Sequence, residues 1–247
     1  MQALPAGLLD RLAACRRLLV LTGAGVSAAS GIPTFRDPGD GLWARFRPED
    51  LATPAAFARD PQLVWRWYQW RRRLIAGASP NAAHRAIAAL EQLLPRVAVV
   101  TQNVDGLHQR AGSSVVIEFH GSIWHDRCSA GCGRRCPADP ALDEPPRCAD
   151  CSAAMRPDVV WFGEGIPPDA LNAALEAAAV CDALLVAGTA GVVEPAASLA
   201  RIAAEHDALL IEANLETTPL SPLADCRLAG DVAQTLPALC AALNRIP

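Results

Sequence analysis

The sequence contains no lysine. All 22 of its basic side chains are arginine, a bias of the kind a GC-rich genome produces, so no side chain of this chain can carry an acyl-lysine mark. Basic charge is also in the minority. Twenty-six acidic residues give a net charge of −4 and a pI near 5.7, which argues against non-specific nucleic-acid binding. No uncharged apolar run reaches the roughly 18 residues that a membrane-spanning helix needs. Glu176 and Asp182 interrupt the best candidate. Nor does the start pair a basic region with an apolar stretch, because Asp10 and Arg11 break it early, so no signal peptide is read there. The expectation is a soluble, cytoplasmic protein with no membrane partner and no direct nucleic-acid partner. Internal repeats and low-complexity segments are absent, and tyrosine occurs once, at Tyr68.

What is present is a chain of 247 residues, 51% of them hydrophobic. That length and composition suit one large domain, or a large domain with a small insert. Short apolar runs recur: Arg17–Leu21, Val97–Val100, Val115–Ile117, Ala183–Ala187 and Ala208–Ile211. Each reads as a buried strand. Helical patterns lie between them. One spans Pro61 to Ile75, and another runs from an N-cap at Ser79 with Pro80 at the first position to about Leu94. Further helices run roughly Glu194 to Glu205 and after Gly230-Asp231. Strands alternating with helices predict an α/β fold with a parallel sheet.

In such sheets, ligands sit outside the carboxyl ends of the strands. Two of the apolar runs feed into chemistry-bearing segments, Thr101-Gln102-Asn103-Val104-Asp105-Gly106-Leu107-His108 and Glu118-Phe119-His120-Gly121-Ser122. Gln102, Asn103, Asp105 and His120 should therefore meet in one crevice. The first strand runs into Thr22-Gly23-Ala24-Gly25-Val26-Ser27. Small residues before a helix let a backbone approach a phosphate, yet the spacing is not G-x-G-x-x-G. A nucleotide site and tight strand-to-helix packing both remain open for it. The segment Ile32-Pro33-Thr34-Phe35-Arg36-Asp37, with the Pro/Gly-rich piece after it, reads as a long functional loop.

Five of the nine cysteines fall between Cys128 and Cys151. Clustering in an intracellular chain favours metal over disulfides. Cys128 with Cys132 and Cys148 with Cys151, about fifteen residues apart, match a tetrahedral Zn²⁺ ribbon with a filled coordination sphere, hence a structural ion. Cys136 stands at the same spacing from Cys132 as Cys128 does, so the first pair is ambiguous. Cys128 and Cys132 are preferred. On the helix from Pro61, Trp65, Trp67 and Trp70 read as core. Arg71, Arg72 and Arg73 read as a solvated face, although Tyr68 and Arg71 share a side of the helix.

Together these segments resemble the sirtuin family of NAD-dependent protein lysine deacylases. The resemblance rests on Gly23-Ala24-Gly25-Val26-Ser27, Gly31-Ile32-Pro33-x-Phe35-Arg36, the Thr101–His108 segment and Phe119-His120-Gly121. The cysteine pairs, Val160-Trp161-Phe162-Gly163-Glu164, Gly188-Thr189 and Asn214-Leu215-Glu216 complete it. It implies a doubly wound Rossmann-type sheet with a small zinc-binding insert domain. The large part would comprise 1–35, 78–122 and 158–247; the small one would be built from a helical insert, 40–77, and the zinc ribbon, 123–157.

The resemblance also implies NAD⁺ as co-substrate, acyl-lysine proteins or peptides as substrates, and a monomer. His120 and Asn103 would be catalytic, His120 as the base that activates a ribose hydroxyl. Gly23, Ala24, Gly25, Ser27, Phe35 and Arg36 would surround the pyrophosphate and the nicotinamide ribose, and Gln102, Asn103 and Asp105 the nicotinamide end. Gly188, Thr189, Asn214, Glu216 and Val232 would take the adenosine end. Val160 and Phe162 would line the substrate groove, and Cys128, Cys132, Cys148 and Cys151 would hold zinc.

Tyr68-x-x-Arg71 resembles the subgroup that removes succinyl and malonyl groups. There a guanidinium and a phenol meet the distal carboxylate, with deacetylation as a second activity. Plain deacetylation, a non-catalytic NAD or ADP-ribose module, protein ADP-ribosylation and a hydride-transferring dehydrogenase are the alternatives. Ala190 departs from the Ser common after Gly-Thr in the family. Asp37 and Asp40 place extra negative charge in the long loop.

Overall fold

The computed structural model describes residues 7–33 and 48–246. Phe35, Arg36, Asp37 and Asp40 lie outside the described residues. In chain order the elements are α1 (Leu8–Ala13), β1 (Leu18–Thr22), α2 (Gly25–Ala28), α3 (Pro48–Leu51), α4 (Pro54–Arg59), α5 (Pro61–Gly77), α6 (Ala82–Ala89), β2 (Val97–Thr101), α7 (Leu107–Ala111) and β3 (Val116–Glu118). There follow β4 (Gly121–Cys128), β5 (Arg135–Pro137), β6 (Met155–Val159), α8 (Pro168–Val180), β7 (Ala183–Ala187), α9 (Ala196–Glu205), β8 (Leu209–Asn214), β9 (Cys226–Ala229) and α10 (Val232–Leu243).

The strands β1, β7 and β8 are apolar at nearly every position because both of their faces are covered. Leu18 and Val20 join one core with Leu12 of α1, Ile87 of α6 and Leu236 and Leu239 of α10. Leu19 and Leu21 point the other way and join Ala174 and Ala178 of α8 and Leu199 and Ala203 of α9. The period of two along a strand thus divides one apolar run between two helical layers. Among the described residues the sheet has six strands in the order β3-β2-β1-β7-β8-β9, and every adjacent pair is parallel. The order reverses between β1 and β7, so a crevice opens at the carboxyl ends of these strands. The expected doubly wound arrangement is present.

A second, antiparallel sheet, β5-β4-β6, carries the cysteine-rich segment. It shares a core with α4 and α5: Phe57, Val64, Trp67, Tyr68 and Ile75 pack with Ile123, Val159 and Trp161. Helix α5 starts where Asp60 accepts from the Leu63 amide and Pro61 occupies the first turn. It also grips the cysteine-rich segment from the side. Trp65 Nε1 and Gln69 Nε2 both donate to the Leu142 carbonyl, at 3.0 and 2.7 Å.

Two expectations need correction. Ser79 does not cap α6. Asn81 does, accepting from the Ala83 amide at 2.8 Å while His84 Nδ1 accepts from the Asn81 amide at 3.3 Å. The Ser-Pro pair lies just before the helix and resembles an earlier start. The helix itself ends at Ala89, followed by a short 3-10 turn at Leu90–Gln92. The arginine triplet is not a solvated face throughout. Consecutive residues of a helix point about 100° apart, so only one of the three meets solvent fully. Arg73 is exposed and Arg71 is half-buried. Arg72 is wholly buried, with its Nε on the Ile123 carbonyl at 2.8 Å and an ion pair to Asp126 of β4. It fastens α5 to the second sheet.

Candidate active site

The crevice is built from the ends of β1, β2, β3, β7 and β8. Glycine is required in its floor. A Cβ on Gly23 would stand 2.7 Å from the Thr189 Cβ, one on Gly25 would stand 2.8 Å from the Gly188 carbonyl oxygen, and one on Gly188 would stand 2.5 Å from the Val26 nitrogen. The turns after β1 and β7 are therefore interlocked backbone to backbone, and the Gly25 amide donates to the Gly188 carbonyl at 2.8 Å. Tight packing accounts for these glycines. It also places both turns at the carboxyl edge where a nucleotide would lie.

Above that floor the polar side chains answer one another. Asn103 Nδ2 donates to the Gly23 carbonyl at 3.0 Å and to Ser27 Oγ at 3.1 Å. Ser27 Oγ donates to Asp105 Oδ2 at 2.7 Å. Asp105 Oδ1 accepts from the Leu107 amide at 2.9 Å, and the Asp105 carbonyl accepts from Trp124 Nε1 at 2.7 Å. Gln102 Nε2 donates to Thr189 Oγ1 at 3.0 Å, joining the ends of β2 and β7. Asn214 Nδ2 donates to the Thr189 carbonyl at 3.1 Å and brings in β8. Thus Gly23, Gly25, Ser27, Gln102, Asn103, Asp105, Gly188, Thr189 and Asn214 form one connected network.

His120 follows β3. Its Nδ1 is 3.1 Å from the Gln102 carbonyl oxygen, an atom that can only accept. Nδ1 therefore carries the proton, and in the neutral ring Nε2 presents its lone pair. Burial lowers the His120 pKa below the ordinary imidazole value, partly opposed by that same hydrogen bond. The neutral, proton-accepting form thus prevails at neutral pH, which is what a general base needs.

Of two further histidines, His84 escaped the sequence reading and His108 entered it only as the end of the Thr101–His108 segment, with no role. His84 lies behind Ser27, with Nε2 at 3.4 Å from its Oγ. His108 Nε2 is 2.9 Å from Thr22 Oγ1, and the two rings meet edge to face with centroids 4.9 Å apart. Burial drives both down to about 4, so both are neutral packing pieces beneath Asn103 and Asp105. Glu212 was missed as well. This buried carboxylate accepts from Thr218 Oγ1, Ser221 Oγ and Asn214 Nδ2. The signal for all three is weak in sequence, because their partners lie far away along the chain or in loops.

Not every expected residue joins the network. Glu216 is exposed on the loop after β8. The Val232 side chain is buried in the core with Leu228 and Leu236. The Val160 amide donates to the His120 carbonyl at 2.9 Å, while Phe162 is exposed and its amide donates to the Ala52 carbonyl. Next to them, Tyr68 is buried and its hydroxyl accepts from Trp161 Nε1 at 2.8 Å. The Arg71 guanidinium lies 5.2 Å from the centroid of the Trp67 ring. Burial lowers its pKa, and the neighbouring Tyr68 and Asp105 oppose that shift.

In the cysteine-rich segment, the sulfurs of Cys128, Cys132, Cys148 and Cys151 all lie within 4.8 Å of one another. Tetrahedral zinc with Zn–S bonds of about 2.3 Å sets sulfurs roughly 3.8 Å apart, so these four thiols fit a structural zinc ion. Cys136 stands outside this group and packs half-buried beside Cys128 and Cys148.

Residues 23–195 match the model of the Sir2 family. Over 237 residues the chain is 54% identical to NAD-dependent protein deacylase 2 of Pyrobaculum aerophilum, an alignment spanning 96% of this chain and 94% of that protein. The chain belongs to the Sir2 family. Identity to NAD-dependent protein deacylase 1 of Pseudomonas aeruginosa is 50% over 238 residues, 93% of this chain and 95% of the relative.

Solved Sir2 structures agree in fold. The crystal structure of a Sir2 homolog–NAD complex superposes with a TM-score of 0.92 at 45% identity, covering 98% of this chain and 95% of that one. A Sir2 structure with a deacetylated p53 peptide and 3′-O-acetyl ADP-ribose gives 0.83 at 34% identity, covering 95% and 96%. No helix among the described residues is long and apolar enough to cross a membrane.

Proposed function

We propose that this Sir2-family chain is an NAD-dependent protein lysine deacylase, which releases nicotinamide and transfers the acyl group to ADP-ribose. The observation that carries this reading is His120, neutral, with Nδ1–H committed to the Gln102 carbonyl and Nε2 free to accept, beside the Asn103–Ser27–Asp105 network. The names of its relatives and the NAD, peptide and acyl-ADP-ribose contents of its structural neighbours support it.

Roles follow from position. The turn at Gly23–Gly25 would cradle the phosphates and the interlocked turn at Gly188–Thr189 would meet the adenosine end, while the resemblance alone gives Phe35 and Arg36 to the pyrophosphate and nicotinamide ribose. Gln102, Asn103, Ser27 and Asp105 would hold the nicotinamide end, and their mutual hydrogen bonds fix them before the ligand arrives. The bond to nicotinamide breaks as the acyl oxygen of the substrate attacks the ribose carbon. His120 Nε2 would then take a proton from a ribose hydroxyl as its oxygen attacks the acyl carbon, the lysine amine would leave with a proton, and water would release the acyl group as O-acyl-ADP-ribose. Asn214 and Glu216 would contact the adenosine end, with Val232 at its edge. Four thiolates leave zinc no open position, so the ion would supply stability to the insert and take no part in the reaction.

Within deacylation, the acyl end favours acidic groups. Tyr68 and Arg71 share one side of α5. A guanidinium meets a carboxylate with two parallel hydrogen bonds, which acetyl groups cannot use. We therefore read succinyl- and malonyl-lysine as preferred substrates and acetyl-lysine as a secondary one, with the peptide lying along Val160 and Phe162.

The test is turnover of one peptide bearing acetyl-, succinyl- or malonyl-lysine, with and without NAD⁺, following nicotinamide and acyl-ADP-ribose by mass spectrometry. Strictly NAD⁺-dependent formation of both products is expected. His120→Ala should lower kcat by about 10²- to 10⁴-fold, the range for a lost general base, with NAD⁺ affinity little changed. NAD⁺ binding without turnover would favour the non-catalytic module instead. Radiolabel moving from NAD⁺ onto protein would favour ADP-ribosylation.

A further inference from the structure

The segment that carries Val160 and Phe162 contains two residues with no role so far, Trp161 and Glu164. Trp161 is almost fully buried. Its indole N–H donates to the Tyr68 hydroxyl at 2.8 Å, and its ring sits beside Phe57 with centroids 5.4 Å apart. The guanidinium of Arg156 stacks on the same indole, 3.2 Å from the ring centroid. Glu164 holds Arg156 through two hydrogen bonds, to Nη1 at 2.6 Å and Nη2 at 3.0 Å. It also accepts from the Trp161 amide at 2.9 Å and from Arg127 Nη2 at 3.1 Å. The indole is thus clamped on one face by a cation and at its backbone by a carboxylate.

A phenol has one proton to give. The indole N–H has no lone pair to accept it, so Trp161 must be the donor and Tyr68 the acceptor. Among the described residues no acceptor takes the Tyr68 proton. Among these residues that proton stays available to an incoming acceptor.

We propose that Trp161, clamped by Arg156 and Glu164, is a specificity-positioning residue that fixes Tyr68 as a hydrogen-bond donor and so selects acyl groups ending in an acceptor such as a carboxylate. The clamp acts through Tyr68 and touches no reacting atom. It joins the acyl end to the catalytic end directly, because the residue before Trp161 donates its amide to the His120 carbonyl. This inference rests on the acidic-acyl reading of Tyr68 and Arg71.

The test compares kcat/KM for succinyl- and acetyl-lysine forms of one peptide in Trp161→Phe, Tyr68→Phe and the double variant. Phenylalanine keeps a ring for Arg156 and removes the N–H. Trp161→Phe should lower the succinyl-to-acetyl ratio about fivefold, the size of one neutral hydrogen bond. In the Tyr68→Phe background it should lower the ratio no further, since the two groups act as one unit. Tyr68 is the only tyrosine, so a label at tyrosine Cζ gives one NMR resonance. That resonance should shift in Trp161→Phe, and the succinyl peptide should move it less than in wild type.

An unchanged ratio, an equal fall for both acyl groups, or an additive effect in the double variant would overturn the proposal. If Trp161→Phe fails to fold, Glu164→Gln loosens the same clamp and should lower the ratio in the same direction. An unchanged ratio there overturns the proposal equally. If wild type shows no acidic-acyl preference at all, the underlying reading fails and takes this proposal with it. A Cζ shift in unliganded Trp161→Phe would mark that case as a failure of the substrate class and not of the hydrogen bond.

Discussion

At the carboxyl ends of β1 and β2, polar groups are used up inside the protein: Asn103 donates to Gly23 and Ser27, and Ser27 donates to Asp105. At the α5 end, Tyr68 accepts from Trp161 and keeps a proton to give. The first region is a closed circuit held in one arrangement before any ligand binds. The second is a buried phenol with one hydrogen bond accepted and, among the described residues, no acceptor for its own proton. A reaction whose chemistry is constant needs the first kind of site, and a choice among acyl groups needs the second.

Helix α5 contains the sharpest form of this contrast in two adjacent residues. Arg72 is buried against Asp126, and Arg71 lies half-buried near Tyr68 and Asp105. Removing one partner of a buried ion pair strands the other. Arg72→Met should therefore cost about 3–5 kcal/mol of stability, read as a lower denaturant midpoint, without altering the succinyl-to-acetyl ratio in protein that remains folded. A ratio that collapsed with Arg72 would mean that the two arginines do not divide structure and recognition between them.

Acid should strain the crevice first. His84 and His108 sit near pKa 4 in the fold, against about 6.5 when unfolded. Between those values the unfolded chain binds protons that the native protein refuses. The native state is thus fully stable above about pH 6.5, and stability falls as the pH drops from there toward 4. The loss amounts to about 3 kcal/mol per histidine at the lower end. Urea titrations from pH 7 to pH 4.5 check this, and substituting either histidine by glutamine should flatten the slope. A flat profile in wild type would mean that the histidines are not held neutral.

Much of this was legible in the sequence. Runs such as Arg17–Leu21 and Ala183–Ala187 announce buried strands, and polar residues at strand ends announce the crevice. The four zinc-suited thiols were readable from spacing, although spacing alone left Cys136 in play. Position in space was not legible. Nothing local marks Arg72 as buried and Arg73 as exposed, because that depends on where Asp126 of β4 arrives. Asn81 was hidden by a more conspicuous Ser-Pro pair two residues upstream. His84, His108 and Glu212 look like ordinary polar residues until the fold brings Ser27, Thr22 and Ser221 to them. Gly23 and Gly25 suggested a phosphate turn, and the structure adds that Gly25 and Gly188 each leave room for the other's backbone.

The most direct measurement of the division of labour is the acyl profile of Arg71→Met. The succinyl-to-acetyl and malonyl-to-acetyl ratios of kcat/KM should each fall about 10- to 100-fold, the value of hydrogen bonds to a charged group, while NAD⁺ affinity stays at the wild-type level. Equal losses on all three acyl groups, or no change in either ratio, would contradict the account, because the α5 end would then carry no information about the acyl group.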